Sequence, residues 1–142
     1  MTSRIVEEFM NLVRIDNESL KEREMADYIT FRLKSMGYES SEDDAGEKAG
    51  GNAGNIICRI PGESSMESVM FLAHMDSVFP CTGKVPVLRD GYIYSDGETV
   101  LGSDDLSGVA AMLNLAEKLI TYDKPRGDVW LVFTIAEEIL AI

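Results

Sequence analysis

Apolar positions recur at helical spacing through the first quarter of the chain. Ile5, Val6, Phe9, Met10, Leu12 and Val13 fall on one side of a helix drawn over residues 3–15. Ser19-Leu20-Lys21-Glu22 then fits a capping box, in which a serine and a glutamate three residues later satisfy each other's free backbone donors. A second helix is expected to begin there, with an apolar stripe of Ala26, Ile29, Leu33 and Met36, and to end at Gly37.

The pattern changes at residues 41–54, which are glycine-rich, charged and almost without large apolar residues, and so predict a mobile loop. Residues 55–60 read as a strand closed by Pro61-Gly62, and residues 69–73 as a second strand, apolar enough to be buried on both faces. Asp90-Gly91 predicts a hairpin turn within residues 85–94, and Ser95-Asp96-Gly97 a further turn. Val109, Met112, Leu113, Ala116, Leu119 and Ile120 form one stripe of a helix over residues 106–122. After Lys124-Pro125-Arg126-Gly127, residues 129–133 are a continuous apolar strand. This order predicts an α/β fold, a mixed sheet covered by helices.

Composition narrows the function classes. A chain of 142 residues, 45% hydrophobic, has the material for one domain or part of one. With 27% charged residues and a net charge of -12 it is too apolar for disorder and too acidic to favour phosphate backbones, so no nucleic acid partner is expected. Glu7 and Glu8 stand where a signal peptide needs an apolar core, and no run approaches the roughly 20 apolar residues of a membrane span. The expectation is a cytoplasmic protein with no membrane partner. Cys58 and Cys81 lack a metal-binding CxxC spacing and read as packed free thiols.

Three acidic or histidine-bearing clusters follow apolar elements or precede a helix, where α/β folds collect ligands. His74 and Asp76, two apart in an extended segment, project to the same side, as a ligand and its orienting carboxylate do; a hydrogen-bonded core histidine is the plainer alternative. Asp104-Asp105 stands at the head of a helix whose dipole favours negative charge, so N-capping is a complete structural explanation for it. Glu137-Glu138 ends an apolar strand, where adjacent carboxylates need solvent or a cation. At a bend both could reach one site, one as ligand and one as base.

Leu72-Ala73-His74-Met75-Asp76-Ser77-Val78, Ser95-Asp96-Gly97-Glu98-Thr99-Val100-Leu101-Gly102-Ser103-Asp104-Asp105 and Phe133-Thr134-Ile135-Ala136-Glu137-Glu138-Ile139 resemble, in order and spacing, three N-terminal metal-site motifs of the co-catalytic di-zinc metallopeptidases. That family includes peptidase T, carboxypeptidase G and succinyl-diaminopimelate desuccinylase, and the second segment is most similar to the peptidase T-like branch.

The resemblance implies a zinc-exopeptidase-like catalytic domain with two zinc ions per complete site. His74 would be a terminal ligand of one zinc and Asp76 the carboxylate orienting it. Asp104 would bridge the ions, Glu138 would bind the second, and Glu137 would be the general base toward a metal-bridging hydroxide. It implies release of an N-terminal residue from short peptides, in the manner of a tripeptide aminopeptidase, and a homodimer for the full-length protein. Two features depart from the family pattern: Leu106 stands where a lysine is usual, and the chain stops soon after Glu138. Residues 1–142 would then be the N-terminal part of the catalytic domain, without the lid or dimerisation domain and the C-terminal catalytic segment. A non-catalytic fragment or weak metal-binding module is one alternative, and an amidohydrolase of acyl-amino acids is another.

Overall fold

The computed structural model describes residues 3–140. The elements run α1 (Arg4–Val13), α2 (Arg23–Ser35), β1 (Ser40–Glu42), α3 (Ala45–Ala49), β2 (Ile56–Ile60), β3 (Val69–His74), β4 (Val87–Arg89), β5 (Tyr92–Tyr94), α4 (Ser103–Leu119), β6 (Val129–Thr134) and α5 (Glu137–Leu140). Four strands form one sheet in the order β1-β2-β6-β3, and β4 and β5 form a separate hairpin. β2 is antiparallel to both β1 and β6, whereas β3 is parallel to β6. The sheet is therefore mixed, and the expected α/β class is borne out.

Register explains the core. Ile56, Cys58 and Ile60 of β2 stand opposite Phe133, Leu131 and Val129 of β6, and all six are buried. Strand side chains alternate, so these six share one face. Leu12 and Val13 of α1, Met25, Ile29 and Leu33 of α2, and Leu106, Val109 and Leu113 of α4 belong to the same buried cluster. On the opposite face Trp130 is half-buried, with the Arg59 guanidinium 5.8 Å from its ring centroid. The β4–β5 turn falls where Asp90-Gly91 placed it, with positive φ at both residues (53° and 81°).

Three expectations are corrected. Helix α2 begins at Arg23, and neither Ser19 nor Glu22 caps it with its side chain. Ser19 Oγ donates instead to Asp76 and Glu22 accepts from Leu20 and Ala136, because both side chains are drawn inward to buried groups. Residues 41–54 are structured rather than a mobile loop, carrying part of β1 and all of α3. Asp43 holds this segment by accepting from the backbone of Ala45 and Asn55, and Gly46 lies so close to the Ala53 carbonyl that a Cβ there would overlap it. Finally, β3 is an edge strand. Val69, Met70, Phe71 and Leu72 are 41–61% exposed, since among the described residues nothing pairs with the outer side of β3.

Candidate metal centre

His74 is the last residue of β3 and stands in parallel register with Thr134, the last residue of β6. The two strands therefore end side by side, and the chain leaving β6 turns across the end of β3. Met75 N–H donates to Thr134 O at 2.7 Å and extends that pairing by one residue. Ala136, with φ of 54°, makes the bend that lets α5 begin immediately at Glu137.

The His74 ring is 8% exposed and its two nitrogens have different surroundings. Nδ1 lies 3.0 Å from the Asp76 carbonyl oxygen and 3.3 Å from Asp76 Oδ1. A proton on Nδ1 satisfies this side and leaves Nε2 as the outward donor atom. Nε2 lies 3.1 Å from Asp104 Oδ1 and 3.9 Å from Glu137 Oε2. The His74 pKa is pushed up to about 9, chiefly by the hydrogen bond to Asp76, with burial opposing and Asp104 adding to the rise.

Asp76 is fully buried and both its oxygens are engaged. Oδ1 accepts Glu137 N–H at 3.0 Å, and Oδ2 accepts Glu138 N–H at 3.1 Å and Ser19 Oγ–H at 2.6 Å. Burial works against ionisation here, but hydrogen bonds from His74, Ser19 and the two backbone N–H groups outweigh it and hold the carboxyl below its usual range. Asp76 thus orients His74 and anchors the turn that carries Glu137 and Glu138. Glu22, also fully buried, accepts Ala136 N–H at 2.9 Å through Oε1, while Oε2 has no partner among the described residues. Its pKa is raised by burial above all, against the N–H groups of Leu20 and Ala136.

The Asp104-Asp105 pair divides its work. Both residues have non-helical φ/ψ at the head of α4 and are joined by a cis peptide. Asp105 Oδ1 accepts Gly108 N–H at 3.1 Å, which is the capping expected of an aspartate in this position. Asp104 does not cap; its side chain is 88% exposed and faces His74 Nε2. Leu106, two residues on, is fully buried in the core.

One ligand atom each from His74, Asp104 and Glu138 lie within 4.8 Å of one another. Glu138 has a raised pKa, from burial and from facing Asp104, Asp76 and Glu137, with His74 opposing. An imidazole nitrogen and two carboxylates are a donor set that suits zinc, and a cation would relieve the repulsion among the acidic groups. The structure therefore brings together all five residues singled out by sequence. Sequence reasoning missed Ser19 and Glu22, whose spacing fitted a helix cap so well that it hid their inward role.

The chain is similar to known proteins along most of its length. Residues 55–141 match the model of "Peptidase family M28". The chain is 36% identical over 135 residues to the uncharacterized protein YqjE of Bacillus subtilis, a match covering 95% of this chain and 36% of that protein. Among solved structures, aminopeptidase PepT from Bacillus cereus superposes with a TM-score of 0.90 at 39% identity, covering 96% of this chain and 37% of that one. A tripeptidase from Staphylococcus aureus gives 0.89 at 33% identity, covering 95% and 36%. The chain thus spans a little over a third of the length of these relatives.

Proposed function

The chain belongs to peptidase family M28, and from that membership we propose that it supplies the zinc-holding and proton-handling residues of an exopeptidase that releases the N-terminal residue of short peptides. The observation that carries the proposal is the convergence of His74, Asp104 and Glu138 within 4.8 Å, beside a second carboxylate at Glu137. His74 Nε2 and the carboxylates of Asp104 and Glu138 would hold zinc, with Asp104 exposed enough to be shared between two ions. Bound zinc supplies Lewis acidity toward a peptide carbonyl and makes water easier to deprotonate.

The remaining work belongs to the protein. Asp76 keeps the Nδ1 side of His74 occupied so that Nε2 faces the ligand cluster. Glu137 is half exposed and is fixed through its backbone N–H to Asp76, so its carboxylate can take a proton from the attacking water and return it to the leaving amine. The aminopeptidase and tripeptidase activities named for the B. cereus and S. aureus relatives support a peptide as substrate. The rest of the proposed active site would lie in the part of the relatives that this chain does not span.

A single-ion binding module is the second reading. It is favoured by the described residues offering one cluster of three ligands, the number usual for one catalytic zinc rather than two. The deciding experiment joins residues 1–140 to the C-terminal remainder of the B. cereus aminopeptidase and assays tripeptide cleavage with zinc. Hydrolysis lost in Glu137→Gln while zinc is retained supports the exopeptidase; hydrolysis unchanged by that substitution, or by Glu138→Ala, overturns it.

A further inference from the structure

Lys84 is 3% exposed and takes no part in the site described above. Its ammonium donates to three uncharged oxygens: Ile15 O at 2.8 Å, Cys81 O at 3.1 Å and Asn17 Oδ1. An ammonium has three N–H donors, so this set satisfies it completely. The contact with Asn17 decides the orientation of that amide. With Oδ1 against a cation, Nδ2 must point the other way, and it donates to Met75 O at 2.7 Å and to Ser77 Oγ at 3.0 Å. The Asn17 carbonyl also accepts Ser77 N–H at 3.0 Å. Asn17 is itself fully buried.

These bonds fall on the residues flanking Asp76. Met75 is gripped on both sides of its backbone, by Thr134 O at its N–H and by Asn17 at its carbonyl. The direction of the Asp76 side chain, and with it the His74 ring and the backbone of Glu137 and Glu138, follows from that grip. Ser77 carries the effect further. Gly102, the residue before α4, has φ of 72° and lies so close to Ser77 Oγ that a Cβ would come within 2.6 Å of it. The chain path into Asp104 is thus packed against the same serine.

We propose that Lys84 is a positioning residue of the metal centre: by fixing the Asn17 amide it sets the backbone of Met75, Asp76 and Ser77, and so aims His74 and Asp104 at one point. Where the inference speaks of metal it rests on the zinc reading above, but its geometric content is independent of any ion. Lys84→Met removes all three donors at similar size. Asn17→Asp keeps an acceptor for Lys84 and removes the donors to Met75 O and Ser77 Oγ, so it separates stability from aim.

The experiment uses the 142-residue chain, with backbone amides and the single histidine ring followed by NMR without metal, and cobalt(II) binding followed by visible absorption. In Lys84→Met, the ring signals of His74 and the amide signals of Met75, Asp76, Ser77, Glu137 and Glu138 move while those of β1 and β2 stay. Cobalt affinity falls at least tenfold with an altered absorption band. If Lys84→Met does not fold, Asn17→Asp decides alone and shows the same shifts. If the native chain binds no cobalt, the zinc reading fails and the metal-free signals still decide. Unmoved His74 and Met75 to Ser77 signals in a folded variant, or cobalt affinity and spectrum equal to those of the native chain, overturn the proposal.

Discussion

Glu22 and Asp76 share out the backbone donors of three consecutive residues. Glu22 accepts Ala136 N–H at 2.9 Å, and Asp76 accepts Glu137 N–H at 3.0 Å and Glu138 N–H at 3.1 Å. Two fully buried carboxylates from distant parts of the chain therefore hold the turn that presents Glu137 and Glu138. Their surroundings shift them in opposite directions, the Asp76 pKa downward and the Glu22 pKa upward.

Asp76→Asn should weaken both the site and the fold. An amide in place of the carboxylate sets an N–H₂ group against at least one of the donors now facing it. The expected cost is about 2–3 kcal/mol of stability, by analogy with other lost charged hydrogen bonds, and about 10- to 100-fold in zinc affinity, as for other partners of a metal-binding histidine. Urea denaturation and zinc titration measure the two effects separately.

Glu22→Gln should do the reverse near neutral pH. A carboxyl whose folded pKa is raised contributes stability that is full below its unfolded pKa and is lost as pH rises through the folded value. The amide keeps an oxygen for Ala136 and Leu20 and has no charge to bury. The variant should be the more stable by about 1 kcal/mol, the scale of relieving one poorly satisfied buried group, and should lose less stability than the native chain as pH rises above 4.5. Thermal unfolding across that range is the measurement.

Zinc binding should displace a proton from His74. The folded pKa of about 9 means that the metal-free ring is charged at neutral pH. Its contribution to stability is complete below the unfolded value of about 6.5 and is lost as pH rises through about 9. Apparent zinc affinity should therefore rise roughly tenfold per pH unit from 7 toward 9, with release of about one proton per ion bound. Calorimetry in buffers of different ionisation enthalpy counts that proton; an affinity flat with pH would contradict the assignment.

Leu72→Lys tests the open edge of the sheet. Leu72 is 61% exposed on β3, beside exposed Met70 and Phe71. An edge lysine discourages strand pairing between copies. The substitution should lower light scattering at high concentration while changing stability by less than about 0.5 kcal/mol, as for other surface sites.

Much of this arrangement was legible in the sequence because apolar periodicity and motif spacing both point to it. The stripes of α1, α2 and α4, the turn at Asp90-Gly91 and the central strand β6 all follow from local pattern. His74, Asp76, Asp104, Glu137 and Glu138 were each readable as candidates. The unreadable part depends on what faces each residue. Periodicity marks residues 69–73 as apolar but cannot say that β3 lies at an edge. Spacing gives Ser19 and Glu22 a helix cap, and only the buried donors of the turn after β6 reveal why they face inward. Asn17 and Lys84 carry no local signal, since apart from Cys81 O, three residues before Lys84, their side-chain partners lie 58 to 69 residues away in the chain.

The parallel pairing of β3 with β6 also bears on when the site can come into being. The two strands are neighbours in the sheet, yet β4, β5 and α4 all intervene between them in the chain. Closing so long a connection costs chain entropy before any pairing rewards it, so such contacts form slowly and late. His74 and Glu138 meet only after that closure. A cation held by the proposed site would find its ligands together only once β3 and β6 have paired, and would act as a latch on that pairing rather than as a nucleus for it.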